Sequence, residues 1–77
     1  MKINPLGANK TVLTLADGTE VLFSYGTPVA AFVPGQGWLR TERRWSVTTS
    51  KHITQWLPGK AEERPQAFFD NLVASAA

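Results

Sequence analysis

Hydrophobic and polar residues alternate on both sides of Asp17-Gly18, which is the clearest turn signal in the chain. The flanking runs, TVLTLA and TEVLFSY, are rich in β-branched and aromatic residues, so the pattern predicts a β-hairpin. A two-residue loop would pair Leu13 with Leu22 and leave both faces half apolar. A three-residue loop, with its glycine in the left-handed conformation, pairs Leu13 with Val21. We predict this second register, because one buried face fixes the pairing strongly. The inward face would then carry Leu13, Leu15, Val21, Phe23 and Tyr25, and the outward face Val12, Thr14, Glu20, Leu22 and Ser24.

Two more strands are predicted after the hairpin, and they continue it as an antiparallel meander. Gly26-Thr27 is a short reversal, and Val29–Val33 is apolar on both faces, which places this strand centrally or beneath a helix. After a further turn at Pro34–Gly37, Trp38–Thr41 is predicted to be a short edge strand. Its arginine would discourage pairing with the edge of another sheet.

Two helices are predicted in the second half of the chain. The hydroxyl run Thr48-Thr49-Ser50 is typical of a helix N-cap, and a short helix is expected at about residues 50–57. Residues 60–64 are predicted to be a charged linker. Pro65 suits a first helical turn, and a second helix is expected at about residues 65–76. Its apolar residues recur at helical spacing and are Phe68, Phe69, Leu72, Val73 and Ala76.

These elements predict an α+β fold, with an antiparallel β-meander of three to four strands packed by the short helix and the C-terminal helix. The length of 77 residues indicates a single domain, residues 1–77. Residues 1–9 carry Pro5, Gly7 and Asn9 and are predicted to form a loose N-terminal arm. The hydrophobic fraction of 43% and charged fraction of 18% are those of a folded chain.

The chain contains no cysteine, which excludes disulfides, thiol chemistry and cysteine-ligated zinc. No apolar run approaches the roughly 20 residues that span a bilayer, and the N-terminal MKINPLGANK lacks the apolar segment of a signal peptide. We therefore expect a cytoplasmic location and no membrane partner.

Positive charge is concentrated in residues 40–57, RTERRWSVTTSKHITQWL, although the net charge of the chain is only +2. This stretch holds four of the eight cationic side chains against a single acid, Glu42. Arginine and lysine neutralise phosphates, and tryptophan and arginine are enriched in the hot spots of protein interfaces. The predicted partner-binding residues, for a protein or a nucleic acid, are Arg40, Arg43, Arg44, Trp45, Lys51 and His52.

Catalytic and metal chemistry lack a supporting pattern. Ser46 and Ser50 lie near His52, but N-capping explains serines that precede a helix, and the chain has no nucleophile elbow. One histidine without cysteine does not make a structural zinc site, which needs about four ligands. The glycines lack the spacing of a Walker or dinucleotide loop. We therefore predict no catalytic residue, no metal site and no cofactor.

Two motifs carry a resemblance to known proteins. They are YGTPVA at residues 25–30 and RTxxxWSxTTSKHIxxWL at residues 40–57. Together they resemble a family of small, uncharacterised proteins and domains found in bacteriophages and mobile elements. The resemblance covers roughly residues 11–57. It implies a phage-type origin, and hence the host cytosol, together with a compact domain, and it implies no catalytic residues.

Three functions are consistent with these features. The first is a non-enzymatic phage accessory protein that binds and modulates, by inhibition, a host or phage protein complex, for example a defence complex. The second is a nucleic-acid-binding module that uses the basic stretch Arg40–Lys51. The third is a structural homo-oligomer, such as a homodimer, whose shared face is formed by Phe68, Phe69 and Leu72.

Overall fold

The computed structural model describes the backbone of residues 2–76 and the side chains of residues 2–75. Met1, the first residue of the predicted arm, and Ala77 lie outside the described residues. Within them, one six-stranded sheet carries a helix on each face, which confirms the predicted α+β class with more strands than expected. The elements are β1 (Lys2–Gly7), β2 (Lys10–Thr14), β3 (Glu20–Ser24), β4 (Thr27–Val33), β5 (Gly37–Thr41), α1 (Val47–Trp56), β6 (Glu62–Arg64) and α2 (Gln66–Ala76).

The strands lie in the sheet in the order in which they occur along the chain. The first five pair antiparallel, as predicted for the meander. The predicted hairpin register is confirmed, because Leu13 pairs with Val21. Gly18 has a φ of 93°, and the Leu15 N–H donates to the Thr19 carbonyl at 2.8 Å, so a three-residue loop closes the hairpin.

The prediction of a loose N-terminal arm is wrong for residues 2–7, which form the edge strand β1 beside β2. Pro5 made the segment look irregular, yet proline is tolerated at a sheet edge, where its missing N–H can face solvent. It also makes the edge a poorer template for pairing with another chain. All six residues of β1 are exposed.

The prediction of a charged linker at residues 60–64 is also wrong in part, because Glu62–Arg64 forms β6. This strand runs parallel to β5, pairing Leu39 with Glu62, so Trp38–Thr41 is not the edge strand that the sequence suggested. A parallel pair needs a crossover connection, and α1 provides it. Because β6 is short and charged, its sequence resembles a linker.

The two faces of the sheet form two separate apolar clusters. Val12, Leu22 and Ala30 lie beneath Ile53 of α1. Three residues predicted to face outward, Val12, Leu22 and Ser24, are therefore buried. On the opposite face, α2 covers a second cluster, which contains Val21, Ala31, Leu39 and Phe69. The sheet is apolar on both faces because it is the middle of three layers.

Both helices differ in detail from the prediction. Helix α1 begins at Val47 rather than near residue 50, because Ser46 is its N-cap and accepts a hydrogen bond from the Thr49 N–H at 3.2 Å. In α2, Phe69 is 0% exposed and does not lie on the surface of the chain, whereas the predicted oligomer face as a whole stays a prediction. Phe68 and Leu72 are half-buried against the same cluster. Neither α1 nor α2 is long and apolar enough to cross a membrane.

Candidate functional site

The segment that connects β5 to α1 stands out from the sheet, and residues 42–48 are all exposed. Local hydrogen bonds fix its start. The Glu42 N–H donates to the Arg64 carbonyl of β6 at 2.9 Å, and the Arg43 N–H donates to the Thr41 hydroxyl at 3.1 Å. The Ser46 cap fixes its end. The segment is therefore held at both ends although its side chains are exposed.

Trp45 is the largest apolar side chain of this segment, and it is 36% exposed. The guanidinium of Arg43 lies over the indole, with its carbon 4.4 Å from the ring centroid. Such a cation–π contact contributes about 0.5–1 kcal/mol at an exposed site. The indole Nε1–H donates to the Gln66 Oε1 atom at 3.2 Å. The ring is therefore held in one orientation without being buried.

Gln66, the first residue of α2, connects this segment to the sheet. Its Oε1 also accepts a hydrogen bond from the Thr41 hydroxyl at 2.8 Å, and its Nε2 donates to the Pro28 carbonyl at 2.7 Å. Sequence reasoning missed Gln66, because a glutamine after a proline at a helix start carries no signal of these contacts. We name the exposed patch that it supports the arginine–tryptophan surface, which consists of Arg43, Arg44, Trp45, Val47 and Lys51.

Arg40 lies beneath this surface rather than on it. Its side chain is half-buried on the α1 side of β5, in the same cross-strand row as Ala30. It lines a polar cavity of about 130 Å³ together with Arg43 and Arg44. Its Nε atom is buried and has no hydrogen-bond partner among the described residues. The three predicted arginines are thus brought together at one place.

Lys51 and His52 do not line the cavity that the three arginines share. Lys51 lies on the outer side of α1 and shares an open groove with Val47. His52 is 9% exposed, and its Nδ1 lies 2.8 Å from the Ser24 hydroxyl oxygen. The Ser24 hydroxyl lies 3.1 Å from the hydroxyl of Thr49. The ring of His52 is buried and bonded inside the chain, so it does not lie on the exposed surface beside the arginines, and its role in partner binding stays a prediction.

The Ser24–His52 pair contains the atoms of a nucleophile and a base, and sequence reasoning did not find it because 28 positions separate the two residues. Ser24 is only 2% exposed. A substrate carbonyl must reach the hydroxyl oxygen for such a pair to act, and this oxygen belongs to a side chain that is buried where α1 packs on β3. The pair serves to satisfy polar groups within a buried region.

Metal ligands do not cluster in the part of the chain that the structure describes. No group of three or more histidine, aspartate or glutamate side chains there could hold a metal ion. The described residues instead bring together the guanidinium groups of three arginines, the indole of Trp45 and a polar cavity. Such an arrangement can bind an anionic or aromatic group.

Comparison with known proteins identifies a family but no activity. No curated protein and no solved structure matches the chain. A family model described as "Family of unknown function (DUF8033)" matches residues 1–71, which include all six strands, α1 and the first half of α2. The chain therefore belongs to this family of unknown function.

Proposed function

We propose that this protein is a non-enzymatic accessory protein that binds a protein partner through the arginine–tryptophan surface and inhibits the complex to which that partner belongs. The resemblance of its two motifs to phage and mobile-element proteins supports a phage-type origin, a host or phage complex as the target, such as a defence complex, and action in the host cytosol. The structural support comes from the geometry of the surface itself.

One observation carries the proposal. The side chains of Arg43, Arg44 and Lys51 make no hydrogen bond and no ion pair within the described residues, whereas Arg64 pairs with Glu62. The indole beside them is nevertheless fixed by Gln66. A rigid aromatic anchor surrounded by unpaired cations loses little conformational freedom on binding. Tryptophan and arginine are also the residues most often found as interface hot spots.

The exposed apolar groups favour a protein over a nucleic acid as the partner. Val47 is 74% exposed at the start of α1, beside Trp45. A branched aliphatic side chain stacks poorly on a base but packs well against a protein surface. Arg43 also covers one face of the indole, which leaves a single face for stacking.

Affinity capture from a host lysate with the intact chain tests this proposal. The wild type is expected to recover a protein partner at stoichiometric amounts. The double variant Arg43→Ala/Trp45→Ala is expected to bind at least about 30-fold more weakly, since each hot-spot residue contributes about 2 kcal/mol or more.

The matched control is Lys2→Ala/Ile3→Ala, which removes one cation and one exposed apolar side chain at the opposite edge of the sheet. It is expected to capture the partner normally. The proposal fails if no stoichiometric partner is recovered, or if both double variants lose capture equally. Far-UV circular dichroism of each variant shows that it is folded.

A nucleic-acid-binding module is the second candidate, and the unpaired cations favour it. It predicts affinity for an oligonucleotide that falls steeply with salt, and a shallower slope for Arg43→Ala/Arg44→Ala, because fewer phosphate contacts release fewer counterions. Absence of binding, or binding that does not depend on salt, would exclude this candidate.

A further inference from the structure

The cavity below the arginine–tryptophan surface is separate from the flat exposed patch. It lies between β5 and the first half of α1, beneath the connecting segment, and has a volume of about 130 Å³. Three arginines line it, and the first turns of α1 contribute Thr49 and Ser50. Most of its lining is polar, unlike the apolar grooves elsewhere on the chain.

Arg40 is the unusual residue of this cavity. A guanidinium carries five N–H donors and no acceptor, and within residues 2–75 the Arg40 side chain donates no hydrogen bond. Its Nε atom is buried, so bulk water does not reach it. A buried donor without a partner is unfavourable and is rare in native proteins. An oxygen acceptor that enters the cavity would supply the missing partner once the lining side chains move enough to expose Nε.

The charges around the cavity favour a single negative group. Arg40, Arg43 and Arg44 face Glu42 and Glu63, which leaves one net positive charge on the lining. The first turn of α1 contains no acidic residue, so the positive end of the helix dipole is not neutralised by its own side chains.

We propose that this cavity binds one carboxylate group, supplied by an aspartate or glutamate side chain of the protein partner. This inference rests on the proposed function for the identity of the partner. Guanidinium and carboxylate form charge-assisted hydrogen bonds, often with two parallel contacts. The bound carboxylate would accept from Arg40 and Arg44 while Trp45 and Val47 pack against the surrounding partner surface.

Size and charge both distinguish this ligand from a nucleic-acid backbone. The cavity volume of about 130 Å³ suits a small group such as a carboxylate. Duplex DNA carries one negative charge per about 1.7 Å of its axis, and Glu42 and Glu63 would repel the neighbouring phosphates. One carboxylate matches the single net positive charge.

Nuclear magnetic resonance of the full chain tests the proposal through the Arg40 Nε–H signal. The probe is N-acetyl-aspartate amide, and the control is N-acetyl-asparagine amide, which has the same shape without the charge. The aspartate probe is expected to shift the Arg40 signal saturably, with half-saturation at millimolar concentration, and the asparagine probe is expected to leave it unchanged. Inorganic phosphate and a short oligonucleotide are titrated in the same way, so that their effect on the Arg40 signal can be compared with that of the aspartate probe.

Two exposed positions provide variants that keep the fold. Arg44→Gln is expected to weaken binding of the aspartate probe by about three- to five-fold, and Glu63→Gln to strengthen it by a similar factor, the size of one charge interaction near the surface. Arg64→Gln is the matched control. It removes a cation that does not line the cavity and is expected to leave the affinity unchanged.

The outcomes separate this inference from the proposed function. No saturable shift up to about 100 mM probe, an equal shift with the asparagine probe, or a preference for phosphate or oligonucleotide would overturn the carboxylate site, whatever the lysate capture shows. An unchanged affinity in Glu63→Gln would also overturn it. A selective shift with no captured partner would leave the site standing and remove the proposed function.

Discussion

The two faces of the sheet are covered by helices of similar length, but the buried groups differ. Beneath α2, Phe69 packs on Val21, Ala31 and Leu39, and all four are fully buried and apolar. Beneath α1, the apolar cluster around Leu22 and Ile53 is accompanied by polar groups. These polar groups are Ser24, Thr49 and His52, which are buried, and Arg40, which is half-buried.

This difference indicates that the two faces have different roles. Apolar burial contributes stability in proportion to area. The centre of the α2 face is apolar, and its buried polar residue Thr41 donates to Gln66 at the start of α2. Buried polar groups contribute little net stability and are costly when a partner is lost. On the α1 face, buried polar groups occur next to the segment that carries the arginine–tryptophan surface. We infer that the α2 face supports the fold, whereas the edge of the α1 face supports binding.

The largest expected effect is loss of the α2 cluster. Phe69→Ala should lower the free energy of unfolding by about 3–5 kcal/mol, because it leaves a cavity in a fully buried site. Denaturant unfolding measures this loss. Phe68→Ala, at a half-buried position of the same helix, is the control and should cost clearly less. Equal costs for the two variants would contradict the role of Phe69 as the centre of this cluster.

A smaller effect is expected on the opposite face. Ser24→Ala removes the hydroxyl that bonds His52 and Thr49, and it should lower the free energy of unfolding by about 1–3 kcal/mol because buried polar groups lose their partner. Ser50→Ala, at an exposed position of α1, should change it by less than about 0.5 kcal/mol. If Ser24→Ala lowered the free energy of unfolding no more than this control, the hydrogen bonds among Ser24, Thr49 and His52 would not contribute to stability.

The smallest effect concerns the hairpin that both faces share. Asp17 accepts a hydrogen bond from the Thr19 N–H at 2.9 Å, and hydrogen bonds from Thr19 lower the pKa of this exposed carboxyl below its ordinary value of 3.8. A lowered folded-state pKa gives stability that is present above the unfolded pKa and is lost as the pH falls through the folded one.

Asp17→Asn should therefore flatten the dependence of the melting temperature on pH below about pH 4. An unchanged slope in Asp17→Asn would show that the turn carboxylate does not contribute to acid unfolding.

Local signals in the sequence predicted the parts of the fold that depend on neighbouring residues. Asp17-Gly18 and the apolar alternation predicted the register between Leu13 and Val21, and Pro65 with its periodic apolar residues predicted α2. Each signal operates within a few residues, where turn chemistry and side-chain period decide the structure.

Contacts between distant segments were not predictable in this way. The edge strand β1 was obscured by Pro5, and β6 is only three residues long and pairs with a strand from which α1 separates it. The bonds from Gln66 to Trp45 and from Ser24 to His52 span 21 and 28 positions. The basic stretch did predict that Arg40, Arg43 and Arg44 lie together, but not that one of them is half-buried.

The variant Arg44→Ala/Val47→Ala tests the central claim most directly, because both side chains are exposed and neither forms a hydrogen bond within residues 2–75. Denaturant unfolding and titration with the captured partner are measured on the same preparation. The account predicts a free energy of unfolding within about 0.5 kcal/mol of the wild type and partner binding weakened at least about tenfold. Unchanged binding, or a loss of stability as large as that of Ser24→Ala, would contradict it.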